Sequence, residues 1–115
     1  MDEKEFYRLV TVASPFAGDR EYNLEYLREC MLDCISRREA PFAPHMMYPF
    51  LLDDDKVYER ILGIDMGCTW ALRGDALVVY TDLGISAGMA HEIETALQAG
   101  LCVEYRNLGS KRKNG

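Results

Sequence analysis

The chain has 115 residues, 49% of them hydrophobic and 28% charged, which suits one domain with a real core and excludes a multidomain machine. Thirteen Lys and Arg against nineteen Asp and Glu give a net charge of -6 and a pI near 4.8, a field that repels phosphate backbones and argues against a nucleic-acid partner. No stretch approaches the ~18 apolar residues of a membrane span, and the N-terminal MDEKEFYR has no apolar segment, so a cytoplasmic protein without a membrane partner is expected.

The first element expected is a strand over Leu9–Ala13, a β-branched apolar run that Ser14-Pro15 stops. After Gly18-Asp19-Arg20, helical spacing runs from Tyr22 to Arg38, with Leu24, Leu27, Met31, Cys34 and Ile35 as its apolar stripe. Phe42-Ala43-Pro44-His45 is too short and Pro-bounded for a helix and reads as a second, edge strand. Asp53-Asp54-Asp55 then leads into a helix with Val57, Ile61, Ile64, Cys68 and Leu72 on one face. Ala76–Tyr80 is a third strand. Ser86–Ala99 is a helix with Ile93, Ala96 and Leu97 inward, Gly100 closes it, and Leu101-Cys102-Val103 begins a fourth strand.

Strands alternating with amphipathic helices predict an α/β fold: a flavodoxin-like or Rossmann-like three-layer sandwich on a four- to five-stranded parallel sheet of order 2-1-3-4. The domain is expected over residues 1–105, with a polar tail over 106–115. Ligands of such sheets bind at the carboxyl ends of the strands. Ser14–Arg20, His45 and Asp82–Glu92 would meet there.

In the first of these loops, Ser14, Pro15 and Phe16 lead to Gly18, where the backbone can approach an anion, and Arg20 adds a charge; a plain turn with a solvated Arg is the structural alternative. At the last helix Ser86 suits the N-cap, Gly88 lets a ligand approach the first turn, and Glu92 lies within two turns of the N-terminus, where a carboxylate ionises readily. An ionised Glu in a dry crevice is a nucleophile toward an anomeric carbon, as in retaining glycosidases; a solvated helical Glu is the alternative. His45 would contact a base or sugar, or merely cap a loop. Cys30, Cys34, Cys68 and Cys102 form no CxxC pair and have no His at ligand spacing, so they read as structural thiols. Neither metal nor cofactor is expected, the consecutive Asp53–Asp55 being helix-end charge.

The pattern VASPF with Gly18 and Asn23, then APH with Tyr48-Pro49 and the Asp-rich segment, then Glu59-Arg60, Gly63, Gly67, Asp75 and SxGMxxEIxxA over 86–96 resembles the nucleoside 2-deoxyribosyltransferase-like superfamily. More narrowly it is similar to the short branch of that superfamily from phage and bacterial genomes, over residues 8–104. The resemblance implies a crevice for a nucleoside or nucleotide and a helix Glu, here Glu92, that attacks C1′ of the sugar. Ser86 matches the serine that nucleotide-specific members place on a 5′-phosphate, Gly88 and Met89 belong to the same motif, and Gly18 and Arg20 match phosphate-side contacts. The early aromatic of the family is Phe16 or Tyr7.

One departure stands out: the Asp that protonates the leaving base in the family is Gly67 here, leaving Asp65 or Asp82 as the acid. Two functions follow. One is cleavage or transfer of the N-glycosidic bond of a (deoxy)nucleoside 5′-monophosphate through Glu92; the other is a non-catalytic module that senses or sequesters a signalling nucleotide. A structural protein with a vestigial crevice is the alternative to both. A homodimer or higher homo-oligomer is expected from the apolar cluster Met46, Met47, Tyr48, Phe50, Leu51 and Leu52, since family members pair to close one another's crevice.

Overall fold

The computed structural model describes residues 6–112. In chain order it holds β1 (Arg8–Ala13), α1 (Arg20–Ser36), β2 (Glu39–Phe42), two single 3₁₀ turns (Pro44–Met46 and Tyr48–Phe50), α2 (Val57–Ala71), β3 (Ala76–Tyr80), α3 (Ala87–Gln98) and β4 (Cys102–Arg106). All pairings are parallel and the sheet runs β2-β1-β3-β4, with Val10 opposite Pro41 and Ala76, and Ala76 opposite Cys102. This is the expected order, and helices cover both faces.

Parallel neighbours need crossovers, and right-handed crossovers that leave β1 in opposite directions put their helices on opposite faces. Alternation along the strands therefore divides the core in two. Val10, Val12, Ala76, Val78 and Tyr80 pack with Tyr26, Leu27, Cys30 and Cys34 of α1, whereas Ala13, Leu77 and Val79 pack with Met89, Ile93 and Ala96 of α3. β3 is buried along its whole length, as its unbroken apolar sequence requires.

Several boundaries and faces differ from expectation. α1 stops at Ser36 rather than Arg38, because Arg38 takes φ 62° and turns the chain straight into β2. The edge strand lies at Glu39–Phe42, not Phe42–His45; Pro44 cannot donate to a ladder and opens a 3₁₀ turn instead. Ile35 and Leu97 face solvent. The α2 stripe is misplaced most: Val57 and Ile61 are 60% and 51% exposed, while the buried positions are Gly67 and Ala71. Small residues let α2 lie close to the chain beneath it, and a Cβ on Gly67 would stand 2.9 Å from the Pro44 ring. The tail expected from residue 106 begins as sheet, since Arg106 ends β4 and Leu108 is buried in the α1 core.

A charged network closes the α1 face beside β4. Arg106 donates to both oxygens of Glu39 at 2.8 and 2.7 Å, each side chain being 7% exposed, and a further Arg106 bond reaches Glu104 at 2.9 Å. Asp33 accepts from Tyr80, Arg37 and Lys111 at 2.7, 3.0 and 2.7 Å. These bonds satisfy charges that burial would otherwise penalise.

Candidate functional site at the carboxyl edge

The loop after β1 is built by its own polar residues. Gly18 has φ +94°, a conformation that L side chains rarely adopt, and Asn23 of α1 donates to the carbonyls of Phe16 and Ala17 at 3.1 and 2.9 Å. So two motif residues, Gly18 and Asn23, shape the turn that presents Phe16. His45, on the 3₁₀ turn after β2, stacks on Phe16 with centroids 4.9 Å apart and planes 14° apart, and hydrogen-bonds the Ser14 backbone. Burial lowers the His45 pKa, with Asp54 opposing, so the ring is neutral at pH 7. The Ser14 hydroxyl is buried and has no hydrogen-bond partner among the described residues, which a native structure rarely leaves unexplained.

Arg20 also lies over the Phe16 ring, its guanidinium 5.2 Å from the centroid. It also pairs with Asp54 at 3.4 Å and Asp55 at 3.2 Å. The Asp run thus works partly by ion pairing to α1, ahead of a helix whose N-cap is Lys56. Pro15 is half-buried between Ser14 and Phe16.

On α3, Ser86 is the N-cap and accepts from the Met89 amide at 3.2 Å. Met89 is 1% exposed and packs in the same cluster as Ala13, which sets the first turn of α3 against the end of β1. Met89 is therefore a core residue beneath the site. Gly88 is open, a Cβ there meeting nothing nearer than the Ser86 hydroxyl at 4.0 Å.

Glu92 is about one turn further on, beside Cys68, Ala71, Leu72, Leu77 and Thr95 in the seam between α2 and α3. Burial pushes its carboxyl up to about 8, so the ready ionisation expected near a helix N-terminus is overturned by the apolar walls. Asp65 is exposed on α2, and its charge and that of Glu92 both act on the Cys68 thiol, which burial already pushes up.

Asp82 is not a free acid. It accepts from the Tyr26 hydroxyl at 2.6 Å and from the amides of Leu108 and Gly109 at 2.9 to 3.1 Å, and these bonds hold it below its ordinary pKa despite burial. A carboxylate so satisfied clamps the segment after β4 and has no proton to give near neutrality. Asp75 is likewise architectural, accepting from the Leu9 amide at 2.8 Å where β1 begins. One feature escaped the sequence reading: Cys68 as the neighbour of Glu92. The three- and four-residue spacing of Cys68 around Ala71 and Ile64 was the available signal, but it did not say which helix would lie opposite.

Residues 8–106 match the family described as Domain of unknown function (DUF7768). The chain belongs to that family. A solved structure, 2-desoxiribosyltransferase from Leishmania mexicana, is similar at TM-score 0.55 and 17% sequence identity, over 87% of this chain and 64% of that one. That likeness is one of fold: a four-stranded parallel α/β sheet of order 2-1-3-4. This chain spans less than two thirds of that enzyme's length. No curated protein matches. No helix among the described residues is long and apolar enough to cross a membrane.

Proposed function

We propose that this DUF7768 protein binds a nucleoside 5′-monophosphate at the carboxyl edge of its sheet and cleaves or transfers the N-glycosidic bond, with Glu92 as nucleophile. The observation that carries this reading is Glu92 itself, a carboxyl six residues beyond the Ser86 N-cap, half-buried against apolar side chains of the α2–α3 seam and raised to about 8. A dry carboxyl of this kind is a strong nucleophile once ionised, and the positive charge developing on a sugar ring in the transition state favours its ionised form.

Around it the reading assigns three contacts. The open first turn of α3, with Ser86 and Gly88, receives the phosphate. Arg20 joins it by exchanging its bonds to Asp54 and Asp55, which at 3.4 and 3.2 Å are long ones. The Phe16–His45 stack and the Ser14 hydroxyl receive the base or sugar. Asp65 is the remaining candidate for protonating the leaving base, Asp82 being spent on its clamp. The similarity of fold to a 2-desoxiribosyltransferase supports the same class of ligand.

That clamp also favours the second reading, a nucleotide-binding module without turnover, because it removes one of two possible acids. One experiment separates them. A panel of ribo- and deoxynucleoside monophosphates is incubated with the wild type and with Glu92→Gln, free base is followed by chromatography, and binding is followed by calorimetry. Turnover by the wild type that falls at least a hundredfold in Glu92→Gln, with binding retained, is the expected result. Equal base release from both proteins refutes the nucleophile; binding without release in either supports the module; no binding refutes the site.

A further inference from the structure

The crossover from β2 to β3 passes over β1, because β1 lies between them in the sheet. Its helix α2 packs on β1 and leaves the outer strand β2 beyond its flank. Leu9 stands opposite Ala40 and Thr11 opposite Phe42, so these four side chains share the α2 side of the sheet. Between them and α2 runs an open groove of about 390 Å³. Ala40 and Gly74 keep long side chains out of part of its wall, and Met47 adds to it. Leu9 and Trp70 are 51% and 59% exposed, so this apolar lining faces water. Its volume falls among those of small-molecule sites, roughly 300–1,000 Å³. None of Ser14, Phe16, His45, Ser86 and Glu92 lines it, which separates it from the nucleotide site.

Two features of the wall point to a class of ligand. Trp70 and Phe42 have ring centroids 5.8 Å apart and planes tilted by 46°, which makes a corner rather than a closed stack. A flat ring entering that corner finds offset and edge-to-face partners. The second feature is Arg73, three residues after Trp70 and also on the wall. Arg73 is exposed, and its guanidinium enters no hydrogen bond or ion pair among the described residues. No acid lines the groove with it, and Asp75, two residues on, accepts from the Leu9 amide at 2.8 Å. The charge offered to a ligand is therefore positive, and its planar fork matches a carboxylate.

We propose that this groove binds a small aromatic carboxylate of one or two rings, the ring lying against Trp70 and Phe42 and the carboxylate on Arg73. Charge complementarity selects the occupant: an apolar lining with one unpaired cation on its wall fits an apolar body that carries one negative charge. The site goes beyond the reading of the nucleotide crevice and stands independently of it.

Trp70 is the one tryptophan of the chain, so its emission reports on the groove directly. Phenylpropionate is titrated into the full chain while that emission is followed, and naphthoate is titrated by calorimetry. Both are expected to bind saturably with dissociation constants below about 1 mM, phenylpropionate shifting the Trp70 emission. Naphthylmethanol, which keeps the rings without the charge, and octanoate, which keeps the charge without a ring, should each bind about tenfold more weakly than naphthoate, or worse. Arg73→Gln should weaken naphthoate by about tenfold or more and leave naphthylmethanol unchanged, a split that a damaged fold would not give. Trp70→Leu should weaken both. Circular dichroism checks that each variant keeps the wild-type fold. Absence of saturable binding overturns the proposal, as does an Arg73→Gln protein that binds naphthoate as the wild type does. Octanoate binding as tightly as naphthoate removes the aromatic selection. A Trp70 emission that shifts with protein concentration alone and not with either carboxylate assigns the groove to a second copy and overturns the site.

Discussion

Replacing Glu92 by Gln should change how stability depends on pH, and the size of the change can be worked from the structure. The carboxyl titrates near 4.5 when unperturbed and near 8 in the fold, where apolar residues of α2, α3 and β3 surround it. Between those values the folded protein holds a proton that the unfolded chain has released. Stability must therefore fall as pH rises through that window, by about 1.4 kcal/mol per pH unit, and level off above pH 8. Below about pH 4.5 both states are protonated and the group contributes nothing. At pH 7 the accumulated cost is about 3 kcal/mol, less whatever solvent access along the open flank of the seam relieves. Glutamine has the same shape and no proton to lose. Urea unfolding of both proteins at pH 5, 6, 7 and 8 isolates the term, because every other titrating group is common to the two and cancels in the difference. Glu92→Gln should gain steadily on the wild type across this range. A stability difference that does not change with pH would refute both the dry environment of Glu92 and the nucleophile argument built on it.

Two further predictions concern the frame of the site. Gly67→Ala places a methyl 2.9 Å from the Pro44 ring, so it should cost about 1–3 kcal/mol of stability in urea unfolding by overpacking. By shifting the turn that carries His45 it should also weaken ligand binding in calorimetry. Arg106→Met removes one partner of a buried, doubly hydrogen-bonded pair and leaves Glu39 only the longer 3.3 Å pair with Arg8, which should cost about 3 kcal/mol by the same measurement. The companion change Glu39→Met in that background should recover part of the loss.

Amino-acid order alone determined the layered architecture. Alternation of buried strands with helices is a local property, and once it is present the handedness of crossovers leaves few topologies, so the order 2-1-3-4 was legible before any coordinate. The same holds for Ser86, whose capping role depends on the three residues that follow it, and for Gly18, whose left-handed backbone is a local demand. What only the tertiary structure decided were the properties that need a neighbour. The apolar residues of α2 are nearly as numerous outside as inside, so periodicity could not tell its buried side; Gly67 and Ala71 are buried because the chain beneath them comes close. Asp82 was a plausible acid until Tyr26 and the Leu108 and Gly109 amides, far away in sequence, occupied both its oxygens. Glu92 near a helix N-terminus should ionise easily, yet the helix opposite removes much of its hydration and raises its pKa. In each case the deciding quantity is the desolvation or saturation of a polar group by residues distant along the chain, and such quantities exist only after the chain has folded.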